Sequence, residues 1–306
     1  MNDKKTMRDS FLEELYMTMK ENENIILVSA DFGAPSLDKI RQEFPHQFIN
    51  VGIAEQNAVN VGVGLALEGF VVYIYAIAPF ISMRAFEQIR VNMAILSQFR
   101  KMNVNIIAVA IGMSYSTSGA THHCLEDLSI IKTLPNIEIF SPSDYILSQM
   151  YVKRSVENNG AKYIRLDGGA SIALKSDEYN FSNGFRVLQD GIYLAVISTS
   201  YMSNLLGNII PKYPNIKFID LYLINNYNYE ALKSELASIQ TIITIEEGFK
   251  GAGGLDSEIN FHFKGKKVVN IGLEKRYCLD VGSREFLHKQ CKIDLESIEK
   301  TIKELL

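Results

Sequence analysis

FINVGIAEQNAVNVGVGLALEGFVVYIYAI, residues 48–77, is the stretch that decides the fold. Phe48–Val51 is a short apolar run, Glu55–Leu67 has the length and apolar spacing of a helix, and Val71–Ile77 contains no charged residue. A strand without polar alternation is buried on both faces. Strand, helix and strand in this order therefore predict a parallel sheet covered on both sides.

The same rhythm runs outward from this unit. Ile25–Ser29, Val104–Ala110, Ile137–Phe140 and Lys162–Leu166 read as further buried strands. Between them lie helical patterns at Ser10–Lys20, Ile81–Arg100, Leu125–Lys132 and Asp144–Glu157. From Asp167 to Gly184 the pattern lapses into Gly, Ser, Asn and Asp, a linker composition. A second series then begins, with strands at Ile192–Ser198, Ile216–Leu221, Ile242–Glu246 and Val268–Ile271. Its helices fall near Tyr201–Ile210, Tyr229–Ala237, Leu255–Phe263, Arg284–Gln290 and Leu295–Leu305. The expected fold class is α/β: two open α/β domains with mainly parallel sheets, helices on both faces, over residues 1–170 and 185–306, joined by a linker at 171–184.

Composition narrows the function. The 306 residues are 47% hydrophobic and 22% charged, which is ordinary for a globular chain. A net charge of −4 offers no broad basic footprint, so no nucleic acid partner is expected. Three cysteines, Cys124, Cys278 and Cys291, make no metal spacing and suggest a reducing compartment. The longest apolar run, Gly69–Met83, is about fifteen residues where a spanning helix needs ~18–20, and Met1–Arg8 has no apolar core behind its charges. A cytoplasmic protein without a membrane segment is expected.

Three segments could carry chemistry. In Asn50-Val-Gly52-Ile-Ala-Glu55 a strand stops and a helix starts, with Glu55 in the first turn. An acidic residue there is favoured by the helix dipole alone, but open α/β folds also bind ligands at such strand ends. In Ser118-Gly-Ala-Thr121-His122-His123-Cys124, His122 is a candidate acid, base or donor, or else part of a capping loop begun by Thr121. Adjacent histidines do not share a helix face, which argues against a metal. Phe80, Met83 and Phe86 recur at i, i+3 and i+6, an apolar stripe that suits either core or one wall of a slot for a flat heterocycle. Two glycine-rich stretches, Gly62-Val-Gly64 and Gly248-Phe-Lys-Gly251-Ala-Gly253-Gly254, match no nucleotide fingerprint and read as close packing and a strand-to-helix turn.

Taken in order, these segments resemble the C-terminal half of the transketolase family. Thr6-Met-Arg8, Val28-Ser-Ala-Asp31-Phe32, Pro135-Asn-Ile137, Ser141-Pro-Ser-Asp144 and Glu246-Glu-Gly248 extend the resemblance over essentially the whole chain. The Gly-Asp-Gly motif of the family's diphosphate-binding domain is missing from this sequence. The resemblance thus implies the smaller, C-terminal subunit of a split enzyme, with an N-terminal subunit as partner, which transfers a two-carbon ketol unit from a ketose to an aldose. It implies thiamine diphosphate as cofactor, with Mg²⁺ or another divalent cation held by the partner, and self-association to an α2β2 assembly. By the same resemblance Glu55 and His122 are catalytic. Asp31, Phe32, Glu55, Phe80, Met83 and Phe86 contact the cofactor, and Arg8, His122 and Ser36 (one residue out of register) contact substrate.

The sugar-binding half departs from the family. Ala110 and Ser118 replace an expected His and Asp, Met83 replaces an aromatic residue, and the second phosphate arginine is missing near Gly168. Three other readings stay open: a subunit of the deoxyxylulose-phosphate synthase or 2-oxo-acid dehydrogenase type, a non-catalytic partner subunit, and a plain nucleotide-binding α/β protein.

Overall fold

The computed structural model describes residues 4–174 and 179–306. In chain order the strands among them are β1 (Lys4–Thr6), β2 (Ile25–Ser29), β3 (Phe48–Asn50), β4 (Val71–Ile77), β5 (Asn103–Val109), β6 (Ile137–Phe140) and β7 (Gly160–Leu166). They continue with β8 (Ala170–Ile172), β9 (Phe185–Gln189), β10 (Leu194–Ser198), β11 (Ile216–Leu221), β12 (Thr241–Phe249) and β13 (Lys267–Leu273).

The first sheet has six strands in the order β3-β2-β4-β5-β7-β6, every pair parallel. β2 and β5 are buried at every position: β2 is apolar up to Ser29, and in β5 the amides of Asn103 and Asn105 donate to Ser155 O (3.0 Å) and Val72 O (3.2 Å). One hydrophobic cluster packs on each face, one built around Val28, Ile74 and Ile106, the other around Leu27, Tyr75 and Ile107. Gly62 lets helix Glu55–Leu67 lie close on β4: a Cβ there would meet Ile74 Cδ1 at 2.6 Å. This accounts for Gly62 by packing.

The second sheet has five strands in the order β13-β12-β10-β11-β9. Its first four are parallel and β9 is antiparallel to β11. Residues after β11 run back along the open edge of the first sheet, where Ser141 N donates to Tyr222 O (2.8 Å) and Ile224 N to Ile139 O (3.0 Å). A fifth cluster, with Met113 and Leu125 from one half and Leu273 and Leu287 from the other, packs the two halves together.

Several expectations need correction. The single helix expected at Ile81–Arg100 is broken into a π turn at Phe80–Arg84, a short α turn at Phe86–Gln88, a second π stretch at Ile89–Ile95 and a 3₁₀ turn at Leu96–Gln98. Inside the first wide turn, Ser82 Oγ donates back to Ala78 O at 2.7 Å, a side-chain bond that bends helices. The helix expected from Leu125 starts at Asp127, and Thr121 lies in a turn well before it. Helix Pro35–Glu43 and strands β1, β8 and β9 were not expected. The expected linker at 171–184 begins inside β8, which pairs antiparallel with β1; residues 175–178 of it lie outside the described residues.

Candidate active site

All strands of the first sheet are parallel, so their carboxyl ends share one edge. The winding reverses at β2: β3 lies on one side of it, and β4 returns on the other. A crevice at such a switch point is where open α/β sheets take ligands. The segments after β2, β3, β4 and β5 supply the expected residues except Arg8, which follows β1.

After β2 the chain turns sharply, with Asp31 in the left-handed region at φ 55°. Asn50, at the end of β3, ties this turn down: its Nδ2 donates to Asp31 Oδ1 (2.9 Å), and its Oδ1 accepts from Gly52 N (2.9 Å). From here a line of rings crosses the edge. Phe32 stacks on Tyr75 at 5.7 Å and meets Tyr115 edge-on at 6.4 Å. The Tyr115 ring lies 6.5 Å from that of His122, and His122 lies 5.4 Å from Phe80, edge to face. The Arg84 guanidinium covers Phe80 at 4.9 Å and donates through Nη1 to Glu55 Oε2 at 2.7 Å.

Glu55 is the first residue of helix Glu55–Leu67 and only 3% exposed. Its Oε2 has the arginine; among the described residues nothing donates to Oε1. A buried carboxylate with one free acceptor, beside aromatic faces, suits a protonated ring nitrogen of a flat heterocycle. The residues present therefore fit the pyrimidine of thiamine diphosphate.

The other expected residues divide. His122 stands within the ring line, with Thr121 Oγ1 at 3.1 Å from its Nδ1. Arg8 sits within electrostatic reach of the Tyr75 and Tyr115 hydroxyls, but its guanidinium is already bonded to Asp9 (2.8 and 3.2 Å). Ser36 is buried in the first turn of helix Pro35–Glu43 and takes no part in the ring line. Met83 is exposed, and Phe86 packs against the core cluster beneath helix Glu55–Leu67. The π turn thus separates Phe80 from Phe86, and the expected single stripe is not one wall. Position 168 points into the edge: a Cβ on Gly168 would lie 3.0 Å from Ser114 Oγ and 3.9 Å from the Tyr115 ring.

Sequence reasoning missed Arg84, Tyr75 and Tyr115. It also missed a buried ionic cluster that closes the far side of the edge. Arg284, from helix Arg284–Cys291, donates to both oxygens of Asp167 (3.0 and 2.8 Å) at the end of β7. It also donates to Glu247 Oε1 on β12 at 2.9 Å and lies 3.5 Å above the Tyr201 ring. Burial pushes the Glu247 carboxyl up, but Arg284 and His288 outweigh it and hold it well below the usual range. Next to His122, the imidazole of His123 is 4% exposed, its ring nitrogens have no partner among the described residues, and burial pushes its pKa down. Of these residues, Glu247 and His123 stood in motifs quoted from the sequence; Arg284, Tyr201 and His288 did not.

Comparison with known proteins bears on the family and the fold. Residues 3–169 match the family model of the transketolase pyrimidine-binding domain. The chain is 30% identical over 311 residues to a Methanocaldococcus jannaschii protein named as a transketolase C-terminal section, covering 98% of this chain and 96% of that one. It is 31% identical over 258 residues to one of the subunits of the apulose-4-phosphate transketolase of Phocaeicola vulgatus, with 81% of each chain covered. Among solved structures, a split-gene transketolase described as an inactive beta4 tetramer aligns with a TM-score of 0.83 at 26% identity, covering 98% of both chains.

Proposed function

The chain belongs to the transketolase family, and from that premise we propose that it is the C-terminal subunit of a split transketolase that moves a two-carbon ketol unit from a ketose to an aldose. The observation that carries this reading is the free Oε1 of buried Glu55 at the end of the ring line. Residues 1–170 form the pyrimidine-binding domain and 185–306 the C-terminal domain, with the linker between.

Thiamine diphosphate, when bound, supplies the carbon nucleophile and the electron sink that ketol transfer needs. Glu55 Oε1 accepts a hydrogen bond from the pyrimidine and exchanges a proton with it. Phe80 offers its face to the ring, with Phe32 and Asp31 near by. His122, between Tyr115 and Phe80, donates to the reacting oxygen of the sugar. Arg8 anchors the far end of the substrate. Arg84 is half-exposed and moves off Phe80 to admit the pyrimidine. The N-terminal partner subunit holds the diphosphate with Mg²⁺ or a like cation, and the pairs assemble as α2β2 in the cytoplasm.

The substrate is a modified ketose rather than a common pentose phosphate. Gly168 points into the edge where an arginine would, and Arg8 is shared with Asp9. The test is reconstitution with the Gly-Asp-Gly-containing partner chain. Cofactor-dependent transfer of two carbons to an aldose is expected, and CO₂ release from pyruvate with no ketol transfer would favour a deoxyxylulose-phosphate synthase-like or dehydrogenase-like subunit instead.

A further inference from the structure

Outside the edge that carries Glu55, a cavity of about 360 Å³ opens against the outer strand of the second sheet, β13. Its polar lining comes from Lys250, just after β12, from Asn270 on β13, from Glu274 and Arg276, just after β13, and from Gln290, Lys292 and Thr301. It thus lies by the carboxyl ends of two neighbouring parallel strands, where open α/β sheets take ligands. The volume falls at the small end of ligand pockets.

Its charge is unusual for a chain of net charge −4: three cations face one carboxylate. Lys250 Nζ is ion-paired to Glu274 Oε1 at 2.5 Å. Arg276 and Lys292 have no ion pair among the described residues, yet both act on the same carboxylate. With Lys250 foremost, the three hold Glu274 below the usual carboxylate range. Glu274 itself is 72% exposed and is free to turn outward. It stands where a small anion would stand.

The backbone supports the placement of Lys292. It caps helix Arg284–Cys291 in the left-handed region, at φ 59°, with its amide bonded to the carbonyls of His288 and Lys289. Glycine is the usual residue at such a cap, because a side chain there is strained. Held in this conformation at the helix cap, Lys292 lines the cavity beside Cys291. The helix end contributes roughly half a negative charge, which three full positive charges outweigh.

We infer that this cavity is a second anion site that binds a small phosphate monoester, with Lys250, Arg276 and Lys292 on the phosphoryl oxygens and Gln290 and Thr301 on hydroxyls of the organic part. Glu274 is the internal substitute that the ligand displaces. A dianion suits three cations better than a carboxylate does, and a phosphoryl group has the oxygens to meet all three. The site stands apart from Arg8 and does not depend on the ketol-transfer reading.

Calorimetric titration of the full chain, carrying Arg8→Ala to silence the other anchor, tests this with ribose 5-phosphate and with inorganic phosphate. One saturable site for the monoester is expected. Lys292→Glu should weaken it about 10–100-fold, the loss of a charge-assisted contact, while Glu274→Gln should tighten it by removing the competitor. Both side chains are exposed, so unchanged melting curves separate lost binding from lost fold. Absence of saturation, indifference to both substitutions, or equal affinity for inorganic phosphate would each overturn the assignment.

Discussion

In the first sheet β2 lies between β3 and β4, with β5 beyond β4; in the second, β10 lies between β11 and β12, with β13 beyond β12. Each sheet therefore has a switch point beside its first parallel strand in the chain, β2 or β10, and at each the chain leaves that strand through a left-handed residue, Asp31 at φ 55° and Ser200 at φ 52°. The use made of the two crevices differs. In the first, Glu55 keeps one carboxylate oxygen without a partner among the described residues, beside a line of aromatic rings. In the second, Glu246 accepts from Leu255 N (3.0 Å) and Asp256 N (2.8 Å), and so occupies the helix N-terminus that an anion would need. Its neighbour Glu247 is locked onto Arg284 and His288. The glycine-rich turn there is likewise filled from within, since a Cβ on Gly254 would fall 2.3 Å from Glu246 Oε2. Equal topology does not make equal sites; what decides is whether the charges at the strand ends are left free or are consumed by their own chain.

The comparison breaks first at Glu55. Glu55→Gln keeps size and fold but cannot exchange a proton, and kcat of the reconstituted pair should fall by at least ~10²–10⁴-fold. Turnover close to that of the unaltered pair would remove Glu55 from the chemistry.

On the closed side, Arg284→Met should be the costliest change to stability. It leaves Asp167 and Glu247 buried without their shared cation, and breaking a buried pair costs about 3–5 kcal/mol. Urea unfolding measures it, and a loss under about 1 kcal/mol would mean that this cluster does not hold the two halves together.

Substrate preference sharpens the picture of the open side. One phosphate arginine is worth ~1.5–3 kcal/mol, so its absence at Gly168 should lower discrimination in favour of phosphorylated ketoses by roughly one to two orders of magnitude. Comparing kcat/KM for phosphorylated and unphosphorylated donors checks this. Efficient use of xylulose 5-phosphate would falsify the modified-ketose reading.

The smallest effect expected is a pH slope. Burial pushes the Glu246 carboxyl up to about 7 from 4.5, against the pull of its two backbone N–H bonds. A folded-state value above the unfolded one means that the folded chain holds the extra proton. The stability from this group is complete below the unfolded value and is lost as pH rises through about 7. Glu246→Gln should flatten that part of the slope in urea midpoints taken at about pH 5 and about pH 8; an unchanged slope would place its source elsewhere.

The sequence by itself determined the parallel core. Apolar runs such as Ile25–Ser29 and Val71–Ile77 call for burial on both faces, and the alternation of short β-branched stretches with helical ones made β5 and β10 to β13 legible beside them. Glu55, His122, Asp31, Phe32 and Phe80 could be named as candidates from the sequence, because strand-end motifs are local. Tertiary structure decided the rest. β1 pairs with β8 across more than 160 residues, and neither strand has a periodicity of its own to read. The π turn at Phe80–Arg84, within which Ser82 Oγ donates back to Ala78 O, is not encoded in apolar spacing, and it sends Phe80 to the line of rings and Phe86 to the core. The ion pairs Arg84–Glu55 and Arg284–Asp167 join residues 29 and 117 positions apart. Charge pairing depends on distance in space and on exclusion of water, and neither quantity exists until the sheets have closed on one another.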